Sequence, residues 1–167
     1  MSAIVEVKGR RVWDSRGRPT VEAELSLTSG AKGRAIAPAG ASTGSAEALD
    51  LRDGGPRFGG YDVAGAVANV NGEIAAGVRG LEGSDQAALD ARLIALDGTG
   101  DKSRLGANAL LAVSMAAAYA AAAEAGLPLW RHLGGADANL LPLPQIQIFG
   151  GGAHAGRRVD IQDFLIL

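Results

Sequence analysis

There is no cysteine among the 167 residues, only two histidines, and no marked surplus of either charge. Lack of cysteine excludes a disulfide framework, a thiolate metal site and a thiol nucleophile, and it is compatible with a reducing cytosol. The histidines, His132 and His154, have neither helical nor hairpin ligand spacing, so a metal cluster built from this chain alone is not expected. A formal net charge of −2, with basic residues scattered along the chain, leaves no electrostatic footprint for nucleic acid or an anionic membrane. The opening residues Met1 to Arg10 carry charge too early for a secretory signal, and a cytoplasmic location is expected. Long apolar runs are also scarce. Ala107 to Ala125 approaches the length of a membrane span, but most of it is alanine, and Gly126 and Pro128 end it without a basic flank. It reads as a core helix, apolar all round because neighbours cover every face.

What is present describes a folded soluble protein: 47% of residues are hydrophobic and 20% are charged. The length suits one domain, or one domain and part of a second. Val21, Ala23, Leu25 and Leu27 alternate with Glu22, Glu24, Ser26 and Thr28, a strand with one buried and one wet face. Breaks at Gly17 to Pro19 and Ser29 to Gly30 set it inside a three-stranded antiparallel meander. Pro38 to Gly44 is small and glycine-containing, the composition of an exposed mobile loop.

The period then becomes helical at Val63, Val67, Val70, Ile74 and Val78, with Asp62 placed as N-cap. Leu89, Leu93 and Leu96 repeat it before the alanine-rich helix, and a short helical turn follows around Leu129 to Leu133. Strands first and helices afterwards is an α+β order. Leu140 to Phe149 and Asp160 to Leu167 are strand-like runs flanking a glycine-rich loop, apolar enough to be buried on both faces. They predict that a second domain begins after a linker at residues 134–139.

Two glycine motifs are set aside. Gly98 to Ser103 has the outline of a phosphate-binding loop, but Asp101 stands where a glycine should precede Lys102, and the segment follows a helix rather than a strand. Gly150, Gly152 and Ala155 fit a dinucleotide pattern, yet Arg157 to Leu167 reads as loop and strand where a helix is required. His154 lies in this glycine loop at a strand end, open to a structural or a functional role.

Four segments together resemble enolases. They are Asp14-Ser15-Arg16-Gly17-Arg18-Pro19-Thr20-Val21-Glu22; Pro38-Ala39-Gly40-Ala41-Ser42-Thr43-Gly44 with Glu47-Ala48-Leu49 and Leu51-Arg52-Asp53; Leu96-Asp97-Gly98-Thr99 with Gly106 to Ser114; and Gly151-Gly152-Ala153-His154-Ala155 with Asp160 to Phe164. They occur in the family's order and span almost the whole chain, corresponding to the amino-terminal minority of a member.

The resemblance implies a capping domain over residues 1–139. It is an antiparallel meander followed by a helical subdomain, and residues 140–167 are the first strands of a truncated β/α barrel. It also implies Mg²⁺-dependent conversion of 2-phosphoglycerate to phosphoenolpyruvate and water in glycolysis, by a homodimer or higher homo-oligomer. Residue by residue, Ser42 matches a serine ligand of the second Mg²⁺, and Ala41 and Ser42 lie in the loop that closes on substrate. His154 matches a histidine near the substrate phosphate, counted as both catalytic and substrate-binding, and Gln162 matches a substrate-contacting amide. Asp163 stands where the family has a catalytic glutamate at the leaving hydroxyl.

The lysine base and the carboxylates of the first metal come from the family's barrel, so this chain alone is expected to be inactive. Gly150 replaces the asparagine usual before the paired glycines, Ala39 a loop serine, and Arg157 a usual asparagine. These departures bear on substrate identity more than on fold. Changes around His154 and Asp163 leave open an enolase-like paralogue acting on another phosphorylated or phosphonylated acid, and the missing barrel leaves open a non-catalytic binding or assembly module.

Overall fold

The computed structural model describes residues 2–37, 39–40 and 44–167. Three strands, β1 (Ile4–Trp13), β2 (Pro19–Leu27) and β3 (Lys32–Ala37), form an antiparallel sheet in the order β1-β2-β3. Their alternation puts Val21, Ala23, Leu25 and Leu27 in the core. The opposite face of β2 is drier than alternation alone implies, because Glu22 and Ser26 are buried as well. A central strand has neighbours on both sides. Arg10 Nε lies 2.9 Å from Glu22 Oε1, and Arg34 Nε lies 3.6 Å from Oε2, so long cationic side chains roof the polar face.

The helical layer follows. Helix α1 (Ala64–Asn69) passes through a π-helical turn (Val70–Ile74) into α2 (Ala75–Val78), then come α3 (Gln86–Asp97), α4 (Ala107–Glu124) and α5 (Leu129–Gly134). The predicted stripe survives the π turn: Val63, Val70, Ile74 and Val78 are fully buried. Asp62 is not the N-cap of α1, a position that Val63 holds; it stands one residue earlier. Its carboxylate accepts from Val63 N at 2.9 Å, while Asp53 reaches across the preceding loop to accept from Ala64 N at 2.7 Å and Gly65 N at 2.9 Å.

Alanine richness in α4 has a packing cause. The helix lies on β2 and β3 and buries Ala109, Ala112, Val113, Ala116, Ala117 and Ala120. Its backbone comes so near β3 that a Cβ on Gly33 would stand 2.0 Å from Ala116 O and 2.3 Å from Ala120 N. Small side chains on both partners permit that approach. This helix is long and apolar enough to cross a membrane, but 67% of it is buried within the protein, as the composition predicted for a core helix.

After α5 the chain runs without regular structure to a hairpin of β4 (Ile146–Gly150) and β5 (Asp163–Ile166), antiparallel and joined through a short 3-10 turn (Gly152–Ala155). Both strands are shorter than the predicted runs, and neither is covered on two faces. Ile148 is 66% exposed and Ile166 50% exposed.

Candidate functional site

Two regions hold the predicted site residues. The first surrounds the glycine-containing loop, whose Pro38, Ala41, Ser42 and Thr43 lie outside the described residues. Its base is anchored from the β1–β2 turn. Asp14 Oδ1 accepts from the backbone N–H groups of Arg16 and Arg18, each at 2.8 Å. Those bonds, Arg18's first, hold its carboxyl below the usual carboxylate range. The turn so formed aims Arg16, whose Nη2 donates to the Ala39 carbonyl. Thr20, fully buried, donates from Oγ1 to Ala37 O at 2.6 Å.

The far side of the loop is tied to α4. Asn108, itself fully buried, brackets Leu51 by accepting from its N–H and donating to its carbonyl, both at 3.1 Å. Arg52 donates to Pro19 O at 2.6 Å and Tyr61 O at 3.0 Å. Gly44 N donates to Glu47 Oε1 at 2.8 Å. Between these anchors opens a cleft of about 660 Å³, lined by Ala39, Gly40, Gly44, Glu47, Asp50 and Asp101 among others. Burial pushes the Asp50 carboxyl up from its ordinary value, against the opposing pull of Arg52.

The second region is the turn end of the β4–β5 hairpin. Gly151 N donates to Gln162 O at 2.7 Å and Gly152 N to Val159 O at 2.8 Å, closing the glycine loop on itself. A side chain at Gly151 would collide with Ile161 O, 2.0 Å from its Cβ position, so Gly151 permits close backbone approach within the loop. His154 sits in the 3-10 turn with its N–H donating to Gly151 O at 3.2 Å and its side chain exposed. Arg157 adopts a left-handed conformation, φ 61°, with its N–H donating to Gly152 O at 2.8 Å. Asparagine is tolerated in that conformation better than arginine, so Arg157 carries backbone strain there.

Gly150 pairs with Asp163 in the ladder. His154, Gln162 and Asp163 therefore share one end of one hairpin. Gln162 Nε2 donates to Asp163 Oδ2 at 3.3 Å, and Gln147 Nε2 donates to Asp163 Oδ1.

Gln147 is the residue that sequence reasoning passed over. Its one signal is a polar amide inside an otherwise apolar strand. Asn108 and Arg52 were legible only as parts of motifs, not as loop anchors. The phosphate-loop lookalike is a structural turn: Lys102 donates to Thr99 O at 2.9 Å and Gly100 O at 3.2 Å, and buried Asp97 accepts from Thr99 N at 3.0 Å and Leu105 N at 2.8 Å. Among the described residues no three His, Asp or Glu side chains converge into a group able to hold a metal ion.

An antiparallel meander carrying a helical layer, with the described residues on either side of the glycine-containing loop tied to the sheet and to α4, defines an α+β domain. The family model described as "Enolase, N-terminal domain" matches residues 4–133, from β1 through nearly all of α5. The chain belongs to that family, which places it in the enolase superfamily among lyase-type enzymes.

Proposed function

We propose that this chain is the amino-terminal part of a Mg²⁺-dependent enolase that converts 2-phosphoglycerate to phosphoenolpyruvate and water. Residues 1–139 are its capping domain and residues 140–167 open a β/α barrel. The carrying observation is the family match together with a hairpin that gathers His154, Gln162 and Asp163 at one end. The match stops at residue 133, just before the irregular stretch that leads to this hairpin.

In this reading, Ala41 and Ser42 belong to the loop that closes over substrate, and its closure excludes water from the reacting centre. Ser42 offers one hard oxygen suited to Mg²⁺. Among the described residues no group of His, Asp and Glu side chains could hold a metal ion by itself, and in the enolase resemblance the lysine base and the carboxylates of the first metal belong to the barrel. When bound, Mg²⁺ supplies countercharge for the dianion that develops beside the substrate carboxylate. His154 stands by the phosphate, Gln162 donates or accepts through its amide, and Asp163 assists departure of the hydroxyl group. The protein is proposed to act in the cytoplasm as a homodimer or higher homo-oligomer.

The test is phosphoenolpyruvate formation from 2-phosphoglycerate by the full-length protein with Mg²⁺. Turnover is expected there and not with the 167-residue chain alone; background rates from the full-length protein reject the reading. A second reading, a paralogue acting on another phosphorylated or phosphonylated acid, is favoured by the departures at Gly150, Arg157 and Asp163, all on the hairpin and its loop. Ordinary enolase rates on 2-phosphoglycerate would exclude it.

A further inference from the structure

Both carboxylate oxygens of Asp163 are held by side-chain amides, and the two amides arrive by different routes. Gln162 is the adjacent residue, at 3.3 Å. Gln147 reaches across the hairpin from β4. The ladder pairs Gly150 with Asp163, Phe149 with Phe164 and Gln147 with Leu165, and it shifts register between Gln147 and Phe149. In an unbroken ladder Ile148 would oppose Leu165, and Gln147 would face the other way. The bulge therefore turns Gln147 onto the face of Asp163, at the diagonal position that long side chains can span.

Between them stands Gly150. A Cβ there would lie 3.2 Å from Gln147 Nε2 and 3.6 Å from Gln147 Cδ, so a side chain at 150 would press on the amide and oblige it to shift by a few tenths of an ångström. Two departures from the family pattern, a glycine at 150 and the shorter acid at 163, are thus joined through a third residue.

We propose that Gln147 is a positioning residue for the Asp163 carboxylate and that Gly150, lacking a Cβ, leaves its amide uncrowded. The role assigned to Asp163 rests on the enolase reading above. Gln147 contributes two methylenes and Asp163 one; the pair shares one span. Shortening the amide breaks the contact, and lengthening the acid restores it.

The experiment uses the full-length protein, with 2-phosphoglycerate and Mg²⁺, in steady-state kinetics. Gln147→Leu is expected to lower kcat on the order of 10²-fold, with KM changed by less than about threefold, the pattern of a misplaced reacting group. Gln147→Asn falls as well, and Gln147→Asn combined with Asp163→Glu regains most of the loss. A Gln147→Leu protein with unaltered kcat overturns the proposal, as does a double variant no better than Gln147→Asn.

The side-chain amide resonances of Gln147, compared by NMR between the wild type and Asp163→Asn, give a readout that needs no turnover. They are expected to move; unmoved resonances overturn the proposal. Absent wild-type turnover defeats the enolase reading alone, and the amide resonances then decide the positioning role.

Discussion

Asp62 illustrates how one side chain acquires a role that its position in sequence does not reveal. It precedes a helical stripe and reads as a cap, yet it is 3% exposed and receives Arg11 Nη1 at 2.7 and 3.0 Å, with Arg57 Nε at 3.2 Å. The Arg11 hydrogen bond, followed by the Val63 N–H and the nearby cationic charge, holds its carboxyl below the ordinary 3.8. A carboxylate depressed in the folded state stabilises the fold above its unfolded pKa and loses that contribution as pH falls through the folded one. Asp62→Asn should therefore lower the urea midpoint at about pH 7, and the gap from wild type should close as pH drops from about 4 toward 2. A gap of constant size across that range would refute the assignment. The same limit on local reading applies to Asp53 and Asn108, whose partners lie 11 and 57 residues away in sequence. Of the residues proposed for the site from motifs, His154, Gln162 and Asp163 share one hairpin end, while Ala41 and Ser42 fall outside the described residues.

At the scale of elements, period carried most of the information. Alternation located β2, and three- and four-residue spacing located α1 through α3, because one buried face imposes its repeat on any element beside a core. Period could not say that β2 is covered on both faces, which depends on its central place in the sheet. Nor could it place the π turn at Val70–Ile74 or the bulge that aims Gln147. The contact between α4 and β3 is the element-scale feature most open to test. Gly33→Ala would drive a methyl group into the backbone of Ala116 and Ala120, and the helix would have to move off the sheet. The expected cost is about 1–3 kcal/mol, read as a lower denaturant midpoint with an unchanged m-value. Stability equal to wild type would show that α4 has slack against the sheet.

At the scale of the whole molecule, the meander and helices bury a continuous core, while the terminal segment presents apolar residues outward: Leu140 is 91% exposed and Leu143 72%. The two-stranded β4–β5 hairpin adds unpaired strand edges to that apolar surface. The 167-residue chain is expected to self-associate, with a light-scattering mass above 16.8 kDa that falls toward it when Ile148 and Leu165 are replaced by lysine. A monodisperse monomer of wild-type sequence would contradict this. The sequence alone determined the α+β order, the core stripes and the family, because these follow from local periodicity and from ordered motifs that survive without coordinates. Only the tertiary structure decided which amides hold Asp163, which carboxylate caps α1 and how the loop is pinned. Those contacts join residues distant in the chain, and their geometry exists only once strands and helices have packed.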